Sequence, residues 1–203
     1  MTASDPRADL AYIRHLMEDT RRAACVSGGY FIVWGVVIGL GLIATWARIA
    51  GYWTVPPFAA WVVCLALGGI GTFFLVRREL REPVEGPAGR LIGMVWMSMG
   101  ITMMIIFFIG VGSGSLGAEH MSALSSALVG GAVFLTGALS GLAWLRNLSF
   151  AWWAGAAVMF AWPGVHVLLL MGVMLLALYV VPGLLLIRMN RGARIAARES
   201  DRG

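Results

Sequence analysis

The sequence predicts an all-α integral membrane protein: six transmembrane helices arranged as three hairpins, preceded by a cytoplasmic amphipathic helix. Three observations predict it. The 203 residues are 60% hydrophobic and 12% charged, whereas soluble domains carry about 25% charged residues. Six apolar segments recur at roughly 29–46, 56–76, 91–112, 121–145, 148–162 and 165–187. The first four approach or exceed the ~20 residues that cross a hydrocarbon core of about 30 Å. Finally, fourteen of the fifteen basic residues fall in alternate connections between these segments. Lipid cannot pair with backbone amides, so spanning segments must be helices or close a barrel. The run MVWMSMGITMMIIFFIGV at 94–111 has none of the polar alternation of a barrel strand.

Residues 1–28 form a lead-in with helix signals. Ser4 or Asp5 can cap, Pro6 fits the first turn, and Asp9 suits the positive end of the helix dipole. Leu10, Ile13, Leu16, Met17 and Thr20 recur along one stripe, flanked by Arg7, Arg14, Glu18, Arg21 and Arg22. Such a helix lies on an anionic membrane surface or docks against a partner or a second copy. Leu10, Ile13, Leu16, Met17, Arg21 and Arg22 are the expected docking residues, and Gly28-Gly29 is the expected hinge to the first span. A signal peptide would place a short basic region directly before its apolar run; the first 27 residues are instead mixed in charge, so the first span is expected to stay as an anchor.

Charge fixes the expected orientation. Arg7, Arg14, Arg21 and Arg22 precede the first span, and Arg77, Arg78, Arg81 and Arg90 join the second to the third. Arg146 lies between the fourth and fifth, and Arg188, Arg191, Arg194, Arg198 and Arg202 follow the last. Arg48 alone occupies the other side. Positive charge is retained on the cytoplasmic face, which puts both termini inside. The net charge of +5 therefore serves insertion and contact with anionic headgroups, not nucleic acid. The use of Arg with no Lys points to a GC-rich coding sequence, a bacterial source and hence the inner membrane.

The hairpins span roughly 29–78, 91–147 and 148–189. Their first helices carry Trp34, Trp96 and Trp153 a few residues in, and their second helices end in FLVRR, AWLRN and LLIRM; a three-fold repeat or the ordinary placement of interfacial Trp and cytoplasmic Arg gives this pattern. The fifth segment is the shortest. Asn147 to Pro163 leaves about 15 residues, or roughly 22 Å of helix, so it spans thinly or re-enters. Pro182-Gly183 is expected to kink the last span. In outline, three Gly-rich hairpins with a short lead-in resemble the HdeD group of small bacterial membrane proteins; the likeness implies architecture alone.

The spans contain no Asp, Glu, Lys or Arg. A mid-membrane charge costs about 2.5–3.5 kcal/mol and is kept for a purpose, so its absence argues against proton-coupled transport, voltage sensing and most ion pumping. Glu119, His120 and His166 gather near the outer interface and are the weak candidates for a divalent metal; histidines facing water or headgroups are the plainer expectation. No cofactor or catalytic residue is expected. Residues 138–141 read Ala-Leu-Ser-Gly, lacking the first glycine of the Gly-x-Ser-Gly fingerprint of rhomboid proteases. Ser140 also lies six residues from Arg146, at the opposite boundary to His166, and a nucleophile needs its base within hydrogen-bond reach. The free thiols Cys25 and Cys64 have no metal-site spacing. Met94, Met97, Met99, Met103 and Met104 read as adaptable packing rather than a Cu(I) site, and Trp152, Trp153 and Trp162 as aromatic belts.

Small residues are the better signal. Gly35 with Gly39, and Gly137 with Gly141, form Gly-x-x-x-Gly steps, and Gly68, Gly69 and Gly71 thin the second span. These positions permit close helix approach, within the chain or in a homo-oligomer. The expected function is a non-enzymatic scaffold or regulatory interaction subunit that uses the lead-in helix and basic tail. The alternatives are a channel or facilitator for a neutral or amphiphilic solute, lined by Ser98, Thr102, Ser125, Ser126, Thr136 and Ser140, and an intramembrane enzyme or metal-binding protein.

Overall fold

The computed structural model describes residues 6–79, 87–117 and 120–200. Among them the regular elements are α1 (Pro6–Ile49), α2 (Pro57–Glu79), α3 (Pro87–Met104), α4 (Met121–Leu139), α5 (Ala143–Ala161), α6 (His166–Leu175) and α7 (Val181–Ser200). A π-helical segment, Ile105–Val111, extends α3, and a second, Leu176–Val180, joins α6 to α7 without a break. Five stretches are long and apolar enough to cross a bilayer: Gly28–Ile49, Pro57–Arg78, Gly89–Gly110, Met121–Leu139 and His166–Met189. The chain is thus a multi-pass membrane protein by the length and composition of its helices.

The central element is α1, which packs on α2 along one side and on α6, the second π segment and α7 along another. Backbone approach explains why. A carbon added at Gly28 would meet the Gly183 carbonyl at 2.8 Å, and one added at Gly39 would meet the Gly172 carbonyl at 3.2 Å. Between these levels Gly35 lies against Tyr179 and Val180. The first and last spans therefore run antiparallel with main chain close to main chain, as small residues allow in lipid. On its other side α1 meets α2 antiparallel, Leu75 over Gly29 and Val33 over Gly71, with Trp34 packed at Gly68.

Three expectations change. Helix α1 passes through Gly28-Gly29 without a hinge, because Gly28 is pressed against α7 and Gly29 against α2. The fourth span ends at Leu139, earlier than 145. There Gly141, at φ +65°, turns the chain and the Leu142 amide bonds the Gly137 carbonyl at 2.9 Å. Consequently α5 begins at Ala143 and runs 19 residues, about 28 Å, with Arg146 in its first turn rather than in a loop. Third, the break expected at Pro182 takes the form of the π segment immediately before it. Widening the turn accommodates a residue that lacks an amide hydrogen and crowds the carbonyl four positions back.

Candidate functional site

The core holds a group of four aromatic rings from four elements, three of them buried and Trp96 partly so. Phe31 of α1 stands edge-on to Trp96 of α3, with centroids 5.2 Å apart, and lies 4.7 Å from Tyr179 of the second π segment. Trp152 of α5 meets the same tyrosine edge-on at 5.4 Å. Edge-to-face rings at these distances add about 0.5–1.5 kcal/mol each beyond contact area. Trp96 donates its indole N–H to Thr136 Oγ1 of α4 at 3.1 Å, so the cluster ties α1, α3, α4, α5 and the last span together. Trp152 is fully buried and is no part of an aromatic belt; its indole N–H has no hydrogen-bond partner among the described residues. Trp153 and Trp162 do reach the surface, at 36% and 67% exposure.

The hydroxyls do not converge on a pathway. Ser126 donates to the Trp152 carbonyl at 2.7 Å, tying α4 to α5, and Thr136 donates to the Ala132 carbonyl at 2.7 Å. Ser140 bonds the Thr136 carbonyl of its own helix. Ser98 and Thr102 bond carbonyls within α3, with Ser98 on the exposed face, while Ser125 reaches the Met103 sulfur. These hydroxyls are spent on helix contacts. Met94, Met97 and Met104 of the same α3 face outward and are exposed, where a ligand set would converge.

At the other end, His120 stacks on Phe160 with centroids 6.4 Å apart, and exposed His166 places Nε2 2.8 Å from the Trp162 carbonyl. Glu119 lies outside the described residues, and among the described residues no group of three metal-ligating side chains forms. Ser140 is bonded within α4 and His166 within its own turn, so the two share no contact.

The four packing glycines divide. Gly35 and Gly39 face the last span, and Gly137 meets the backbone of Arg146 in α5. Gly141 lies in the turn after α4 with nothing within 4 Å of an added carbon. It serves the left-handed turn, which a side chain disfavours, and not helix packing. Leu10, Ile13, Leu16, Met17, Arg21 and Arg22 fall on the first half of α1; their side chains lie outside the described set.

The aromatic cluster escaped sequence reasoning because tryptophan in a span reads first as an interfacial anchor. Depth gave no warning, because Trp152 is the fifth residue of the apolar run at 148–162 and becomes the tenth of α5 only through the turn at Gly141.

The helix contacts gather the arginines. Gly29 with Leu75, Gly28 with Ile187, Phe31 with Trp96, Trp96 with Thr136, and Gly137 with Arg146 link the helices at neighbouring levels of the bundle. Arg77, Arg78, Arg90, Arg146 and Arg188 therefore share one end of the bundle, and Arg48, in the last turn of α1, marks the other. There Arg77 lies 4.4 Å above the Phe73 ring, a cation–π contact that holds the guanidinium at the edge of the apolar span.

Compared with known proteins, the chain matches no family model, no curated protein and no solved structure. The likeness in outline to the HdeD group is therefore carried by no family match.

Proposed function

We propose that this chain is a non-enzymatic scaffold or interaction subunit of the bacterial inner membrane. It crosses six times, as three hairpins, with both termini in the cytoplasm, and works by contact through its lead-in helix and arginine-rich tail. The observation that carries this reading is the filled interior. Where a conduit needs polar groups facing a common space, this bundle has four interlocked aromatic rings and hydroxyls bonded to nearby carbonyls. The gathering of arginine at one end supports the assigned orientation, and with the basic tail it favours contact with anionic headgroups.

Two measurements test the reading together. Purified protein in sealed vesicles should leave glycerol permeation at the rate of empty vesicles; faster, protein-dependent permeation would establish the facilitator instead. In native membranes, deletion of residues 6–22 should leave insertion intact and abolish recovery of any partner that the full chain holds. Unchanged recovery would overturn the assigned docking elements.

A further inference from the structure

The antiparallel seam between α1 and the last span does not stop where the apolar residues stop. Gly28 faces Gly183 and touches Leu186 and Ile187. Beyond this level α1 reaches back to Pro6 and α7 runs on to Ser200. At ~1.5 Å per residue both extend on the order of 20–30 Å past the facing glycines.

The sequence continues the pattern in register. Stepping by fours and threes from Gly28, helical periodicity continues its stripe through Ala24, Arg21, Met17, Ile13 and Leu10. The same steps from Leu186 pass through Asn190, Ala193 and Ala197. If the antiparallel register of the Gly28–Gly183 contact continues, position 24 stands level with 190, 21 with 193 and 17 with 197. The sequence of α7 thus offers the small residues Ala193 and Ala197 at the positions that this register sets against the stripe. Arg188, Arg191, Arg194 and Arg198 fall within one arc of about 120°, off this seam.

We propose that the amphipathic lead-in is held by the chain's own C-terminal helix, as an antiparallel two-helix stalk with the arginine row on its outer side. Continuity with the Gly28–Gly183 contact argues for this occupant over the membrane surface, since a helix lying on the bilayer must break from the span it feeds and α1 runs straight through. Outside the bilayer the hydrophobic effect, absent between helices in lipid, favours covering the stripe. The inference rests on the proposed docking role of these segments and specifies what covers them.

The test uses the full chain in native membranes, with Cys25 and Cys64 replaced by Ser. In that background Met17→Cys with Ala197→Cys should form a disulfide within one chain on mild oxidation, seen as a mobility shift without reductant. Asp19→Cys with Ala197→Cys, with position 19 on the far side of α1, should not. In permeabilised membranes a water-soluble maleimide should label Arg194→Cys at least ten-fold faster than Ala197→Cys. Failure of the Met17–Ala197 pair to crosslink, equal crosslinking of both pairs, or a disulfide joining two chains would each overturn the stalk. So would a spin label at position 17 that reports lipid contact. None of these readouts requires a partner, so a failed recovery experiment and a failed stalk remain distinct results.

Discussion

Alanine substitution at three glycines of α4 separates glycine as a spacer from glycine as an incidental residue. A carbon added at Gly131 meets nothing within 4 Å, so Gly131→Ala should gain the helix-propensity difference, up to about 1 kcal/mol. A carbon added at Gly137 would lie 2.7 Å from the Arg146 Cα and also overlap the Arg146 nitrogen. Carbon atoms rest at about 3.5 Å or more, so α4 and α5 must part by nearly 1 Å, and no flexible side chain can yield instead. Overpacking of this kind costs about 1–3 kcal/mol, more than the propensity gain. Gly130 is intermediate, since its added carbon meets the Trp153 ring and the Trp152 Cβ, and breaking the 3.1 Å Trp153 Nε1 bond to the Ala127 carbonyl adds to the loss. The midpoint of thermal unfolding in detergent should therefore rank Gly131→Ala above the unmodified chain, and both above Gly137→Ala. Equal stabilisation by Gly131→Ala and Gly137→Ala would show that α5 does not approach α4 at Arg146.

Other predictions follow from the same contacts. Trp152→Ala removes a fully buried ring and should cost about 3–5 kcal/mol. Trp152→Phe keeps an aromatic ring at Tyr179 and removes an indole N–H without a described partner, so its cost should stay below about 1.5 kcal/mol; denaturant unfolding compares the two. Trp96→Phe loses the bond to Thr136 and should cost about 0.6 kcal/mol, the usual value of an interhelical hydrogen bond in a membrane, with Thr136→Val equivalent and the double variant no worse than either by more than a few tenths. Gly39→Leu, set against the Gly172 carbonyl and Leu176, should open the seam between the first and last spans. A protease site inserted at 50–55 should then be cleaved with the helices separating in mild detergent, whereas the unmodified seam holds them together.

The all-helical class and five of the six expected spans were legible because the bilayer constrains them so tightly. Spans begin and end within a few residues of the apolar runs, except where the turn at Gly141 intervenes. That exception is instructive. Residues 140–145 read as continuous apolar sequence, and hydropathy does not register that Gly141 and the Gly137–Arg146 approach allow a complete reversal inside it. Trp152 and Trp96 were misjudged for a related reason: residue type alone does not separate a tryptophan anchored at headgroup level from one enclosed by four neighbours. Gly35 and Gly39 were recognised as packing positions, but sequence carries no mark of which helix they face. The answer, a partner at the far end of the chain, is a long-range fact that Gly172 and Gly183 encode only jointly with them.

The distribution of contacts argues for a division of labour within the bundle. α2 touches α1 as its principal neighbour and α3 touches α1 and α4; Phe58, Phe74, Met97 and Phe108 of these two elements are each more than half exposed. In water such surfaces would drive association, but lipid is as apolar as they are and supplies no such force, so a peripheral α2 and α3 cost the folded state little. The tightly joined part is instead α1 with the last span, and α4 with α5, linked through Tyr179, Trp152 and Phe31. Both helices that extend past their apolar stretches at the arginine-bearing end, α1 and α7, belong to that closely packed part. A bundle built to conduct would place its closest packing at its perimeter and its polar groups at its axis. This one packs most closely around α1 and α7, the two elements that the proposed docking role uses.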